Sequence, residues 1–245
     1  FQSTSDLETV PGWSPIAARS SLVRNYTVGL QQGLGRAELR LEAYHKDFEH
    51  RFPEVSVPTG LTGSGNVTLN AASTGWAEGA EALLRVHAWG PFSGWISYAW
   101  SSVLRSSGQG GYYDADFSQP HVGNLVLQAA LPRHWTVGGR WRLASGIPYT
   151  PVLSRSYNLA TGRWTPVFGA TNSQRLPVYD RLDLRLEKRW DSEGAWWQSV
   201  TAYVELINTL DAENITSVTY EDDYSGIRRI RQFPRLVFGG LELAF

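Results

Sequence analysis

Several groups of residues in this chain could do chemistry. The stretch Tyr112-Tyr113-Asp114-Ala-Asp116, followed by His121, gathers phenols, carboxylates and an imidazole. It could grip a ligand or a metal ion; an ordinary polar loop descending into a strand would carry the same residues. Glu221-Asp222-Asp223-Tyr224-Ser-Gly226 offers hard oxygen ligands of the kind Ca²⁺ takes. It lacks the full spacing of a calcium-binding loop, so a solvated loop accounts for it better. Arg228 and Arg229, with Arg231, could attract an anion through charge-assisted hydrogen bonds, but a charged loop stem is the simpler account. Arg181, Asp183, Arg185 and Glu187 form a row of mixed sign, which suits mutual pairing better than an ion-selective pore.

Enzyme chemistry finds little support. No nucleophile elbow, zinc motif or phosphate-binding loop is present, so no catalytic residue, metal or cofactor is assigned. Asp116 and His121 are close enough in sequence to merit mutagenesis and nothing more. Zero Cys removes disulfides, thiolate metal sites and thiol nucleophiles. A formal charge of −1 gives no reason to expect nucleic acid as a partner.

The elements that must position these residues are strands. Leu182, Leu184 and Leu186 alternate with Arg181, Asp183, Arg185 and Glu187, so a strand here has one leucine face and one charged face. The same alternation recurs at Ala37–Ala43, Ala80–Ala88, Ile96–Trp100, Leu125–Leu131, Trp135–Leu143, Val200–Leu206 and Val237–Phe245, and more loosely at Tyr26–Leu30. About nine strands result. Short turns join them at one end; at the other, long polar connections cover about 53–74, 104–120, 145–179 and 208–234. Residues 1–17 read as a loop or N-terminal extension, and residues 18–245 as one β domain.

The leucine face could meet a protein core or a lipid bilayer. No apolar run approaches the ~18–20 residues of a spanning helix. Three features favour a transmembrane antiparallel β-barrel over a soluble, carbohydrate-binding β-sandwich. The strands are longer than the ~5–6 residues usual in soluble proteins. Turns and loops are sorted by end. Aromatics are sorted by height: Trp89, Trp135, Trp190, Trp196 and Trp197 lie beside the short turns, and Tyr98, Trp100, Tyr112, Tyr113 and Tyr149 at or beyond the other ends. A lipid-facing Arg near the midplane costs roughly 2–4 kcal/mol, so the charged row must line a lumen.

Several segments then resemble one family, the C-terminal barrel portion of TonB-dependent outer-membrane receptors. They are Gly79–Arg85 with Gly94–Ser101, Asp116–Leu125, Ala144–Pro151, Arg181–Arg185 and Val204–Leu210. The end of the chain is similar to a barrel-assembly signal, with Gly240, Leu243 and the terminal aromatic Phe245; Phe238 replaces its usual polar first residue. The resemblance implies a bacterial outer-membrane location, a larger barrel of 22 strands, and a lumen filled by an N-terminal plug that this chain does not resemble, with which Arg181, Asp183, Arg185 and Glu187 would pair as well as among themselves.

That resemblance makes the chain a fragment or split half, completed by a plug and further strands from the same precursor or another polypeptide. It implies energised uptake of a bulky nutrient: a siderophore, cobalamin, a glycan or a peptide. The loops would capture the ligand, with Tyr112, Tyr113, Asp114, Asp116, Tyr149, Asp222, Asp223, Tyr224, Arg228 and Arg229 as candidate contacts. Implied partners are outer-membrane lipid, the barrel-assembly machinery, TonB acting through the plug, and a surface lipoprotein. A structural or anchoring barrel without transport is the alternative.

Overall fold

A computed structural model describes residues 22–51, 73–106, 111–194 and 196–245. The expected extension over 1–17, most of the first long connection (53–72) and positions 107–110 of the second lie outside the described residues. The strands are β1 (Leu22–Leu34), β2 (Ala37–Arg51), β3 (Ser73–Trp89), β4 (Phe92–Ser106), β5 (Tyr113–Asp114), β6 (His121–Leu131), β7 (Trp135–Ala144) and β8 (Pro148–Tyr149). They continue as β9 (Val152–Asn158), β10 (Arg163–Phe168), β11 (Gln174–Arg175), β12 (Tyr179–Asp191), β13 (Ser199–Ile207), β14 (Ile215–Tyr220), β15 (Ile227–Arg231) and β16 (Leu236–Ala244).

The nine strands expected from alternation form one antiparallel sheet in the order β1-β2-β3-β4-β6-β7-β12-β13-β16, with β5 added on the end of β4. The only helical element among the described residues is a short 3₁₀ turn at Pro132–His134. β1 and β16 are the edges of this sheet, and no pairing joins them. The third and fourth connections, read from sequence as loops, carry structure of their own. β9 and β10 pair as one hairpin, β14 and β15 as another, and β8 pairs with β11.

Register carries the two faces across the whole sheet. Leu186 lies opposite Val137 on one side and Val204 on the other, and Val204 lies opposite Gly239. Leu84 likewise lies between Leu39 and Ile96. Two close approaches depend on glycine: a Cβ on Gly79 would lie 2.6 Å from both the Trp100 carbonyl and the Tyr44 hydroxyl, and one on Gly240 would lie 2.7 Å from the Tyr203 hydroxyl. Each tyrosine lies directly opposite its glycine and covers it.

The sheet is a single layer. Val28, Val237 and Leu241 are 72%, 66% and 76% exposed, and the buried apolar side chains among the described residues are only Ala77, Ala115, Ala144, Pro148 and Leu176. A β-sandwich would bury this face against a second sheet about 10 Å away. Among the described residues no second sheet covers this face.

Candidate functional site

On β12, Arg181, Asp183, Arg185 and Glu187 share one face. Arg142 and Arg140 of β7 lie directly opposite Arg181 and Asp183, and Glu205 and Tyr203 of β13 lie opposite Arg185 and Glu187. Asp183 is the hub at the loop end and is only 4% exposed. Its Oδ2 accepts from Arg140 Nη2 at 2.6 Å and Nε at 3.2 Å, and its Oδ1 accepts from Arg181 Nε at 2.8 Å. The backbone N–H of Asn208 donates to Oδ1 at 2.9 Å.

Asn208 ties this hub to the fourth connection. It is 2% exposed, has φ of 53°, and exchanges hydrogen bonds between its amide and the backbone of Ala212. Asn214 does the same for the start of β12: its amide accepts from Asp180 N–H and donates to Asp180 C=O, both at 2.8 Å. Loop geometry and charged row are therefore one structure.

Beside Asp183 the sheet forms a cavity of about 260 Å³, lined by Trp95, Asn124, Arg140, Arg142, Tyr179 and Arg181. Arg142 lies over the Tyr179 ring at 6.0 Å. Nearer the turns the balance reverses. Arg185 is surrounded by Glu187, Glu205 at 3.5 Å and Glu242 at 3.4 Å, and stacks over Tyr203 at 3.9 Å. Two ion pairs lie within the row, Arg181–Asp183 and Arg185–Glu187; the other three come from Arg140, Glu205 and Glu242 on other strands.

The other candidate contacts fall into two separate places. Asp114 pairs with Arg175 at 2.7 Å, and Asp116 accepts from Asn172 Nδ2 at 2.6 Å and faces Arg105 at 3.8 Å. With buried Ala115, Ser118 and Asn172 they form a knot that binds the second connection to the third. Tyr112 packs on Trp76 with ring centroids 4.4 Å apart, Tyr113 lies opposite Arg105, and Tyr149 pairs with Gln174. His121 joins Tyr98, not Asp116: its Nδ1 lies 2.7 Å from the Tyr98 hydroxyl.

Asp222, Asp223 and Tyr224 cap the β14–β15 hairpin, and Arg228 and Arg229 lie exposed along β15. Asp223 accepts from the Ser225 hydroxyl at 2.7 Å and amide at 2.9 Å, and pairs with Arg155 of the β9–β10 hairpin. Those contacts hold its carboxyl at about 2, well below the usual range. The Tyr220 hydroxyl adds a second link, accepting from Val152 N–H at 2.9 Å. Of the residues expected to form a barrel-assembly signal, Gly240 lies beneath Tyr203, Leu243 lies opposite Val200 on the apolar face, and Phe245 is 83% exposed.

Sequence reasoning missed Arg140, Arg142, Asn208 and Arg155 as site residues. Alternation had already put Arg140 and Arg142 on the polar face of their strand; the missing signal was the register that sets them against Arg181 and Asp183.

Residues 19–208 match the family model described as TonB dependent receptor-like, beta-barrel. No curated protein matches the chain in sequence. Among solved structures, the ferric-catecholate import receptor Fiu from K12 E. coli, in its closed form, is similar over 95% of this chain, with a TM-score of 0.62 at 15% identity. The ferripyoverdine receptor of the outer membrane of Pseudomonas aeruginosa, bound to ferripyoverdine, is similar over 90%, with a TM-score of 0.59 at 15% identity. The chain spans 29% and 27% of those two proteins.

Proposed function

This chain belongs to the TonB-dependent receptor-like β-barrel family, and we propose that it forms one panel of a receptor for energised uptake of a bulky nutrient. Members of the family are outer-membrane receptors and transporters, not enzymes. The observation that carries the reading is the single-layer sheet with one apolar and one charged face. In this reading Leu182, Leu184 and Leu186 meet lipid, while Arg181, Asp183, Arg185 and Glu187 line a lumen.

The loop-end surfaces then serve capture. A plug domain and further strands complete the lumen, TonB acts through the plug, and the assembly machinery engages β16 at Gly240, Leu243 and Phe245. A ferric siderophore is the leading ligand class, because the two similar structures are named for a ferric catecholate and for ferripyoverdine.

Cells carrying the full-length receptor provide the test. Accumulation of a radiolabelled ferric catecholate, ferripyoverdine, cobalamin, glycan or peptide should fall when either the receptor or TonB is deleted. A receptor deletion that alters none of them, while disturbing envelope integrity, supports the anchoring alternative instead.

A further inference from the structure

The loop-end cavity holds three arginines against one aspartate. Asp183 has nothing left to offer: it is 4% exposed and already accepts from Arg140, Arg181 and the Asn208 amide. Arg142 and Arg181 lie directly opposite each other across β7 and β12. Like charges in that position destabilise a sheet. Arg142 faces no carboxylate within ion-pair distance among the described residues, and its other cross-strand neighbour is the neutral Asn124. The excess is local, because the same face turns acidic around Arg185.

A guest of opposite charge relieves this arrangement. Guanidinium groups bind planar oxyanions through paired, charge-assisted hydrogen bonds, and Trp95 and Tyr179 add aromatic walls. Ligand pockets that enclose a whole small molecule run to ≈ 300–1,000 Å³, so a cavity of about 260 Å³ admits one group of a bulky nutrient, not all of it. We propose that Arg142, with Arg140 and Arg181, forms an anion subsite that takes an oxyanionic group of the ligand, such as a carboxylate, phosphate or catecholate. The inference rests on the receptor reading for its ligand, not for its geometry.

The test uses the purified full-length receptor and two simple probes, citrate and pyrophosphate, against chloride at matched ionic strength. The thermal unfolding midpoint of the wild-type receptor should rise with either probe. Arg142→Gln should weaken the apparent affinity by about tenfold or more, the loss of one charge-assisted contact. Arg142→Lys should retain part of it, charge without the fork. Without any probe, Arg142→Gln should be at least as stable as wild type, because it removes the repulsion with Arg181.

Three results overturn the subsite: no rise in the wild type, an equal rise in Arg142→Gln, or an Arg142→Gln receptor destabilised without probe. The last would mean that an acidic side chain of the same receptor already fills the cavity. A receptor deletion that leaves TonB-dependent uptake of every candidate nutrient unchanged, with the probe response of the purified receptor intact, would sink the transport reading and leave the subsite standing.

Discussion

Asp183 sits where desolvation and pairing oppose each other. Burying a carboxylate costs several kcal/mol unless its lone pairs are filled. Here two guanidinium groups and one backbone N–H fill them. The partners are unequal: the Arg140 side chain is 61% exposed and that of Arg181 only 28%. Asp183→Asn keeps an oxygen for the Asn208 N–H but strands the charge on Arg181. It should cost about 2–3 kcal/mol, less than for a fully buried pair because Arg140 can turn to water. Arg140→Gln leaves Asp183 with its remaining two donors and should cost about 1 kcal/mol or less. The unfolding temperature of the full-length receptor in heat-modifiability gels would check both, and equal losses would contradict this ranking. Alternation placed Asp183 on the polar face. It gave no sign that Asp183 alone would be buried, because its covering comes from Arg140, Arg181 and the start of a loop at Asn208.

At the scale of elements, the two loop hairpins are clasped by an Arg155–Asp223 ion pair and the Val152–Tyr220 hydrogen bond. Arg155 is further fixed over the Trp164 ring at 4.4 Å. Asp223 has a depressed folded value, so its contribution is complete above its ordinary 3.8 and is lost as pH falls through about 2. Spin labels on the β9–β10 and β14–β15 hairpins should therefore keep a constant separation from neutral pH down to about 5, and spread between about 4 and 2. Asp223→Asn should broaden the distribution already at neutral pH. A change between pH 8 and 5 in the wild type would assign the clasp to another group. The nine long strands were legible because period-two alternation is local. These hairpins were not: Arg155 and Asp223 lie 68 residues apart, and the strands are short, with β9, β10 and β15 exposed on both faces and free of a clean apolar pattern.

At the scale of the molecule, the apolar face has a height. From Leu182 to Trp190, a rise of about 3.3 Å per residue gives about 26 Å along the strand, and about 20 Å along the membrane normal at a tilt of about 40°. That approaches the ~25 Å apolar band of outer-membrane barrels. Its limits are chemically marked. At the loop end Asp180 accepts from Trp141 Nε1 at 2.7 Å, and on β2 the outward His45 meets Asp47 at 3.1 Å. At the turn end Lys188 lies over Trp135 and Trp190, at 5.5 and 5.7 Å from the ring centroids, as a snorkelling cation does at an interface. Leu184 lies within the band and Trp190 at its margin. Leu184→Arg in the full-length receptor should cost roughly 2–4 kcal/mol, and Trp190→Arg only ~0–1 kcal/mol apart from the lost ring. Folding titrations into lipid vesicles would measure the difference. Equal penalties at the two depths would mean that this face does not meet a bilayer, and the two-sided wall would need a protein partner to cover its leucines.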